Sequence, residues 1–324
     1  MGKRVLIVGL CCLDVVSYLD NFPVEDSDNR VFDSRICLGG NATNSTLVFN
    51  QLSRKRNDIN CELFAALPNN NKLVDELIEK SGINTGKSIR RVNSECPLST
   101  VIINSKNNGS RTILHYRGNL EEITFEEFYN AFGQEIKDGK LDWIHFEGRN
   151  FNQVKKMMEF TKNERLKNRP FISVELEKVR PFPCLEQLIE PSDLIFVSKD
   201  FAQFKGWNDM EATINGIQQE MGESSKIVFC AWGEKVFAGA AVRESFTNKS
   251  SINIPPPKLY IQPIFPSLPP IIDTLGAGDC FIGTALFNLC QNNKSLKEVL
   301  AESVRIAGIK CTRKGLLNLD DLAE

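Results

Sequence analysis

Short, unbroken apolar runs alternate with stretches of helical periodicity along this chain, and that alternation constrains its fold more than any other feature. The runs Val5 to Gly9, Cys61 to Ala66, Leu141 to Phe146, Phe171 to Glu175, Leu194 to Val197 and Ile227 to Ala231 read as strands. Thr43 to Leu52, Asn71 to Ser81 (ended by Gly82), Phe151 to Leu166, Pro183 to Glu190, Trp207 to Met221, Asp279 to Cys290 and Ser295 to Cys311 read as helices. A strand that is apolar throughout, rather than at every second residue, is covered on both faces. Strands interleaved with helices give an α/β fold with a largely parallel sheet between two helical layers.

Two segments break the rhythm. Residues 12–37 are polar, with β-like pieces at Val15 to Leu19 and Val31 to Ile36. Residues 96–120 read as two strands, Leu98 to Asn104 and Arg111 to Tyr116, joined by a turn over Asn107 to Ser110. Together they form a small β-sheet lid over a body made of residues 1–11, 38–95 and 121–324; edge strands of one mixed sheet are the alternative. Residues 250–270 hold seven prolines, including Pro255, Pro256 and Pro257. Proline removes a ladder donor and breaks helices. The stretch therefore reads as a surface insertion loop, partly polyproline II, and removing Lys258 to Ser267 is expected to leave the fold intact.

Charge and composition exclude several classes. Lys and Arg number 39 against 41 Asp and Glu, a net charge of −2, which argues against nucleic acid as a partner. No run of 18 apolar residues spans a membrane, and the apolar start is too short for a signal peptide. Ten cysteines without a C-x-x-C pair read as buried thiols in a reducing compartment, which places the chain in the cytoplasm. The N-x-S/T triplets at Asn41, Asn44, Asn108 and Asn248 are then chance matches.

Chemistry concentrates in three places. Asp273-Thr274-Leu275-Gly276-Ala277-Gly278-Asp279 leads into a helix. Gly276, Ala277 and Gly278 expose backbone N–H groups where a helix dipole begins, which makes an anion hole suited to a phosphoryl group in transfer. Asp279 stands where a carboxylate can take a proton from an attacking hydroxyl, although an Asp N-cap would use the same residue. Asp14 follows the first strand, near the carboxyl end of a parallel sheet, where ligands bind. Gly39-Gly40-Asn41-Ala42-Thr43-Asn44 opens a helix and offers two amides that suit a polyol. No P-loop, dinucleotide fingerprint or G-x-S-x-G is present. His115 and His145 lack supporting residues at metal-site spacing.

The Asp273 to Asp279 run resembles the carboxy-terminal signature of the ribokinase-like (PfkB-type) carbohydrate kinases, and Gly39-Gly40-Asn41 resembles their amino-terminal one. Glu147-Gly148-Arg149-Asn150 and Val197-Ser198-Lys199-Asp200 point to the ketohexokinase (fructokinase) branch, as do Pro23 to Ser27, Glu175 to Lys178 and Cys230-Ala231-Trp232. The likeness runs in order along nearly the whole chain. It implies a three-layer α/β/α sandwich with a β-clasp lid, and ATP-dependent phosphorylation of D-fructose at its 1-hydroxyl with Mg²⁺; K⁺ stimulates many relatives. Kinase action on another sugar or a nucleoside, and a non-catalytic sugar-binding scaffold, remain as alternatives.

By this resemblance Asp279 is the base, Gly276, Ala277 and Gly278 the anion hole, and Arg111 reaches in from the lid. Asp14, Asp26, Gly40, Asn41 and Asn44 hold the sugar. Thr274, Trp232, Gly308 and Cys311 lie on the nucleotide side. The lid implies a homodimer. Many relatives carry an N-x-x-E motif linked to Mg²⁺; here Phe201 stands at the Glu position, so no magnesium ligand is assigned. The Pro-rich lead into the signature occurs twice, at Ile254 to Pro257 and Leu268 to Pro270, which fits either an inserted loop or a retained intron.

Overall fold

The computed structural model describes residues 2–56, 58–104, 109–163, 168–177, 185–221, 226–233, 239–244, 258–264, 270–291 and 293–322. In chain order its elements are β1 (Lys3–Val8), β2 (Cys12–Leu19), β3 (Asp33–Gly39), α1 (Asn41–Ser53), β4 (Ile59–Phe64), β5 (Ala66–Pro68), α2 (Lys72–Ser81), β6 (Ile89–Arg91), β7 (Leu98–Asn104) and β8 (Ser110–Tyr116). Then come α3 (Phe125–Lys137), β9 (Trp143–Glu147), α4 (Phe151–Thr161), β10 (Phe171–Leu176), β11 (Leu194–Ser198), α5 (Lys199–Phe204), α6 (Met210–Met221), β12 (Ile227–Ala231), β13 (Gly239–Glu244), β14 (Lys258–Pro263), α7 (Ala277–Gln291) and α8 (Leu296–Cys311).

Eight strands form the main sheet in the order β14-β13-β12-β11-β10-β9-β1-β4. The pairs from β4 to β12 are parallel, and β13 and β14 add antiparallel. Neighbouring residues of one strand supply opposite cores. Val5 and Ile7 of β1 pack with α1, α7 and α8, while Leu6 and Val8 pack with α3, α4 and α6. Period-2 alternation between two apolar layers explains why these strands read as unbroken runs. The result is a three-layer α/β/α sandwich.

A second sheet, β3-β2-β7-β8, stands apart from the first. Val16, Tyr18, Val101 and Ile103 make its own small core. The alternative of edge strands in one mixed sheet is therefore wrong. The turn expected at Asn107 to Ser110 falls partly outside the described residues, but β7 and β8 pair antiparallel from Asn104 opposite Ser110.

Several local signals act as expected. Asn71 accepts from the Val74 N–H to cap α2, and Gly82 closes that helix at φ 68°. Ser295 and Glu298 form a capping box on α8. A second box, Thr124 with Glu127, opens α3, a helix absent from the sequence reading although T-x-x-E announces it. The helix expected at Pro183 to Glu190 is, over its described part, one 3₁₀ turn at Leu185–Leu188. The described cysteines form no disulfide.

The reading of residues 250–270 as a loop needs correction. Lys258–Pro263 is a strand, paired residue for residue with β13 at the sheet edge. Its only proline terminates it, and an edge strand tolerates that. Tyr260 packs against the core beneath α7 and α8. Residues 250–257 and 265–269 lie outside the described residues. Deleting Lys258–Pro263 is thus expected to uncover β13 and destabilise the chain by about 2 kcal/mol or more. The urea midpoint checks this; a deletion variant that unfolds at the wild-type midpoint would restore the loop reading.

Candidate active site

The site forms where the two glycine signatures meet. Gly40 is the residue before α1, at φ 97°, and a Cβ there would stand 2.4 Å from the Leu10 carbonyl oxygen. Only glycine fits. A Cβ at Gly39 would fall 2.2 Å from the Asp14 carboxylate, so that glycine lets buried Asp14 of β2 approach the turn. The first turn of α1 then presents Asn41 and Asn44, three residues apart, on one side.

Asn44 Nδ2 donates to Asp279 Oδ2 at 2.7 Å, and Ser45 Oγ donates to the Asp279 carbonyl at 3.3 Å. Asp279 lies in the first turn of α7 and is buried. Gly276, at φ 75°, turns the chain into that helix. A Cβ at Gly278 would meet nothing within 4 Å, so the backbone there faces open space. The leading N–H groups of a helix lack intrahelical acceptors. The Ala277 N–H donates to the Thr274 carbonyl at 3.3 Å, so an anion at this turn would be met by the Gly276 and Gly278 N–H groups, with Asp279 beside it.

Carboxylates crowd the other side of the site. Asn41 Nδ2 donates to Glu175 at 3.1 Å and to Glu177 at 2.6 Å. Glu147 Oε2 accepts from the Leu10 N–H at 2.8 Å and the Ala42 N–H at 3.4 Å, and its Oε1 accepts from Arg149 at 2.9 Å. Glu147 and Glu175 are register partners on β9 and β10. Burial first, then Glu177 and Glu147, push the Asp279 carboxyl up to about 7, against the pull of Asn44 and Arg111. Burial and the same neighbours hold Glu175 well above the usual carboxylate range.

Cations gather beyond the turn. Arg111 of β8 donates to Thr274 Oγ1 at 3.3 Å. Thr274 in turn donates through its N–H and its hydroxyl to the Gly109 carbonyl, at 3.2 and 2.7 Å. The lid is thereby fastened to the turn. Asp273 accepts from Tyr18, Arg35 and the Gly315 N–H, and Lys310 lies 3.2 Å from its other oxygen. These partners hold its carboxyl below the usual range despite burial. The Cys311 carbonyl accepts the Ile272 and Asp273 N–H groups, while burial raises its thiol.

The structure thus brings together Asp14, Gly40, Asn41, Asn44, Arg111, Thr274, Gly276, Ala277, Gly278, Asp279 and Cys311. Gly308 lies half-buried in α8, three residues before Cys311. Two residues stand elsewhere. Trp232 packs with the core on the face of the sheet opposite α7, and Asp26 is exposed at φ 59° in the β2–β3 loop. Phe201, at the position of the missing Glu, is buried in α5 against Trp207. Sequence reasoning missed Glu147, Glu175 and Glu177 as site residues. Their signal is an acidic residue at the carboxyl end of an otherwise apolar strand, where an open parallel sheet binds ligands.

Comparison with known proteins gives a consistent answer. Residues 3–321 match the model of the pfkB family carbohydrate kinases. Ketohexokinase of Mus musculus is 31% identical over 320 residues, covering 97% of each chain. Among solved structures, ribokinase from Giardia lamblia superposes with a TM-score of 0.75 at 17% identity, covering 99% of this chain and 96% of the other. The Arabidopsis thaliana ribokinase complexed with ribose and ATP superposes at 0.68 with 17% identity, covering 97% and 94%. With both glycine signatures folded into one site and a family match over nearly its whole length, the chain belongs to the pfkB family of carbohydrate kinases.

Proposed function

We propose that this kinase transfers the terminal phosphoryl group of ATP to the 1-hydroxyl of D-fructose. The observation that carries the phosphoryl-transfer reading is the buried Asp279 carboxyl beside an open Gly276–Gly278 turn. The near full-length likeness to a ketohexokinase supports fructose. Asp14, Asn41 and Asn44 would hold the sugar hydroxyls, with Asp26 reaching in from its loop. Asp279 would take the proton of the attacking hydroxyl while the turn's N–H groups and Arg111 stabilise the charge on the moving phosphoryl group. Thr274, Gly308 and Cys311, with Trp232 farther off, would border the nucleotide.

Magnesium would neutralise phosphate charge and orient the chain of phosphates. Among the described residues, no three His, Cys, Asp or Glu side chains stand as a ready metal cage. Mg²⁺ does not need one, since it takes one or two carboxylates besides phosphates and waters. Glu175 and Glu177 are the fitting pair. Burial first, then the neighbouring carboxylates, hold the Glu175 carboxyl well above its usual range, and a divalent cation would relieve that excess of negative charge.

The lid supports a second copy of the chain as partner. Leu114 and Tyr116 of β8 are each 59% exposed, and Ile36, Phe32 and Val31 add apolar surface on or beside β3. A sheet with such a face is covered in most stable proteins, and two copies can cover each other symmetrically. No helix of the described residues is long and apolar enough to cross a membrane.

Four measurements test these readings. In a panel of sugars and nucleosides, fructose with ATP should give the highest kcat/KM, with the product's phosphate on carbon 1 by NMR. Equal turnover of ribose or adenosine would favour a kinase of broader or different specificity. Asp279→Asn should lower kcat by about a hundredfold or more with little change in KM. A base must be ionised to work, and this carboxyl is raised in the ligand-free protein, so wild-type kcat/KM should fall as pH drops through about 7; an acid limb of kcat/KM near pH 4 would contradict that assignment. Finally, the protein should sediment at twice 36.5 kDa, and Leu114→Glu should halve that mass. A wild type that sediments as one subunit at micromolar concentration would remove the dimer.

A further inference from the structure

Lys310 is the last residue but one of α8, and its side chain is wholly buried. Lysine almost always keeps its ammonium in water, so a buried one needs dedicated acceptors. Here Nζ donates to the Asp273 carbonyl oxygen at 2.7 Å and lies 3.2 Å from Asp273 Oδ1. Asp273 opens the turn that ends at Asp279. The next residue of α8, Cys311, accepts the N–H groups of Ile272 and Asp273 through its carbonyl. The end of α8 therefore grips both backbone groups of the residue that starts the anion turn.

The charge balance at this point is unusual. Lys310 and Arg35 both meet the single Asp273 carboxylate. With Arg111 on Thr274, two positive charges remain on this side of the turn, against the carboxylates of Glu147, Glu175, Glu177 and Asp279 on the other. A bound potassium ion is held by carbonyl and carboxylate oxygens that replace its hydration shell. Asp273 offers both kinds beside the turn, but Lys310 meets its carbonyl and Oδ1. Leu275 N–H takes the same Oδ1 at 2.8 Å, and Tyr18, Arg35 and Gly315 N–H take Oδ2. The potassium expected from the family resemblance does not fit these oxygens.

We propose that Lys310 is a built-in cation of the anion turn, a positioning residue that holds the Asp273 to Gly278 turn in the shape that turns its Gly276 and Gly278 N–H groups toward the transferred phosphoryl group and makes a bound monovalent cation unnecessary. The inference rests on the kinase reading. It concerns the shape of the turn rather than a contact with substrate, so it predicts a loss in kcat more than in sugar KM.

The test uses the full-length protein in K⁺, Na⁺ or tetramethylammonium salts at equal ionic strength, reading both phosphoryl transfer and melting temperature. Wild-type kcat should agree within about twofold across the three salts, with no melting-temperature gain in K⁺. Lys310→Met should lose about tenfold or more in kcat in tetramethylammonium, keep its sugar KM within about threefold, and recover activity and melting temperature when K⁺ is added. Lys310→Arg, which keeps the charge, should retain more activity than Lys310→Met. Stimulation of the wild type by K⁺ beyond about fivefold, or a folded Lys310→Met with wild-type kcat in every salt, would overturn the proposal. If Lys310→Met does not fold, the wild-type salt series decides alone. A wild type inactive in all three salts counts against the kinase reading, and its melting temperature in those salts still decides on Lys310: a rise in K⁺ overturns the proposal, and no rise supports it.

Discussion

The hydrogen bond from Asn44 to Asp279 joins residues 235 positions apart, and the rest of the site depends on it. It ties the first turns of α1 and α7, the helices that follow the two glycine signatures. Each signature alone is an ordinary glycine turn leading into a helix. Their meaning comes from α1 and α7 packing side by side on one face of the sheet, so that both N-termini open toward the same space. Glycine is required where that approach is closest, since any Cβ at Gly40 would collide with the Leu10 backbone.

Around this junction the charges are sorted. Carboxylates from β9, β10 and α7 crowd one side of the turn, and Lys310, Arg35 and Arg111 lie on the other. The arrangement destabilises the empty fold. Asp279 keeps its proton up to about 7 when folded but only to the ordinary aspartate value when unfolded. The folded state binds the extra proton between those two values, so this group's contribution to stability falls as pH rises through that window. Strain of this kind is common where a site is prepared for ligands that carry compensating charge. The lid shares the same wiring. Gly109 receives two hydrogen bonds from Thr274, and Tyr18 and Arg35 reach Asp273, so movement of the small sheet is mechanically coupled to the anion turn.

Much of this was legible from the sequence because the signals are local. Continuous apolar runs marked the buried strands, Asn71 and Gly82 marked both ends of α2, and the Asp273 to Asp279 run marked the anion turn. What escaped was non-local. Lys258–Pro263 sits among prolines, and only its pairing with β13 makes it a strand. Glu147, Glu175 and Glu177 carry no motif of their own; they become a cluster when β9 and β10 pair and Asn41 bonds two of them. Lys310 reads as an ordinary helix-end lysine until α8 packs its last turn beneath Asp273. The likeness of the whole chain to carbohydrate kinases pointed to Asp279 and the glycine turn, but not to the charges around them.

The Asp279 carboxyl, on which the site turns, is raised to about 7 first by its burial and then by the acidic residues around it. Difference infrared spectroscopy of the ligand-free protein, wild type against Asp279→Asn, reads that carboxyl directly. The account predicts a protonated-carboxyl band that titrates near pH 7, is absent from Asp279→Asn, and moves to lower pH in Glu177→Gln. A wild-type spectrum in which the only carboxyl lost with Asp279 titrates below pH 5 would contradict it.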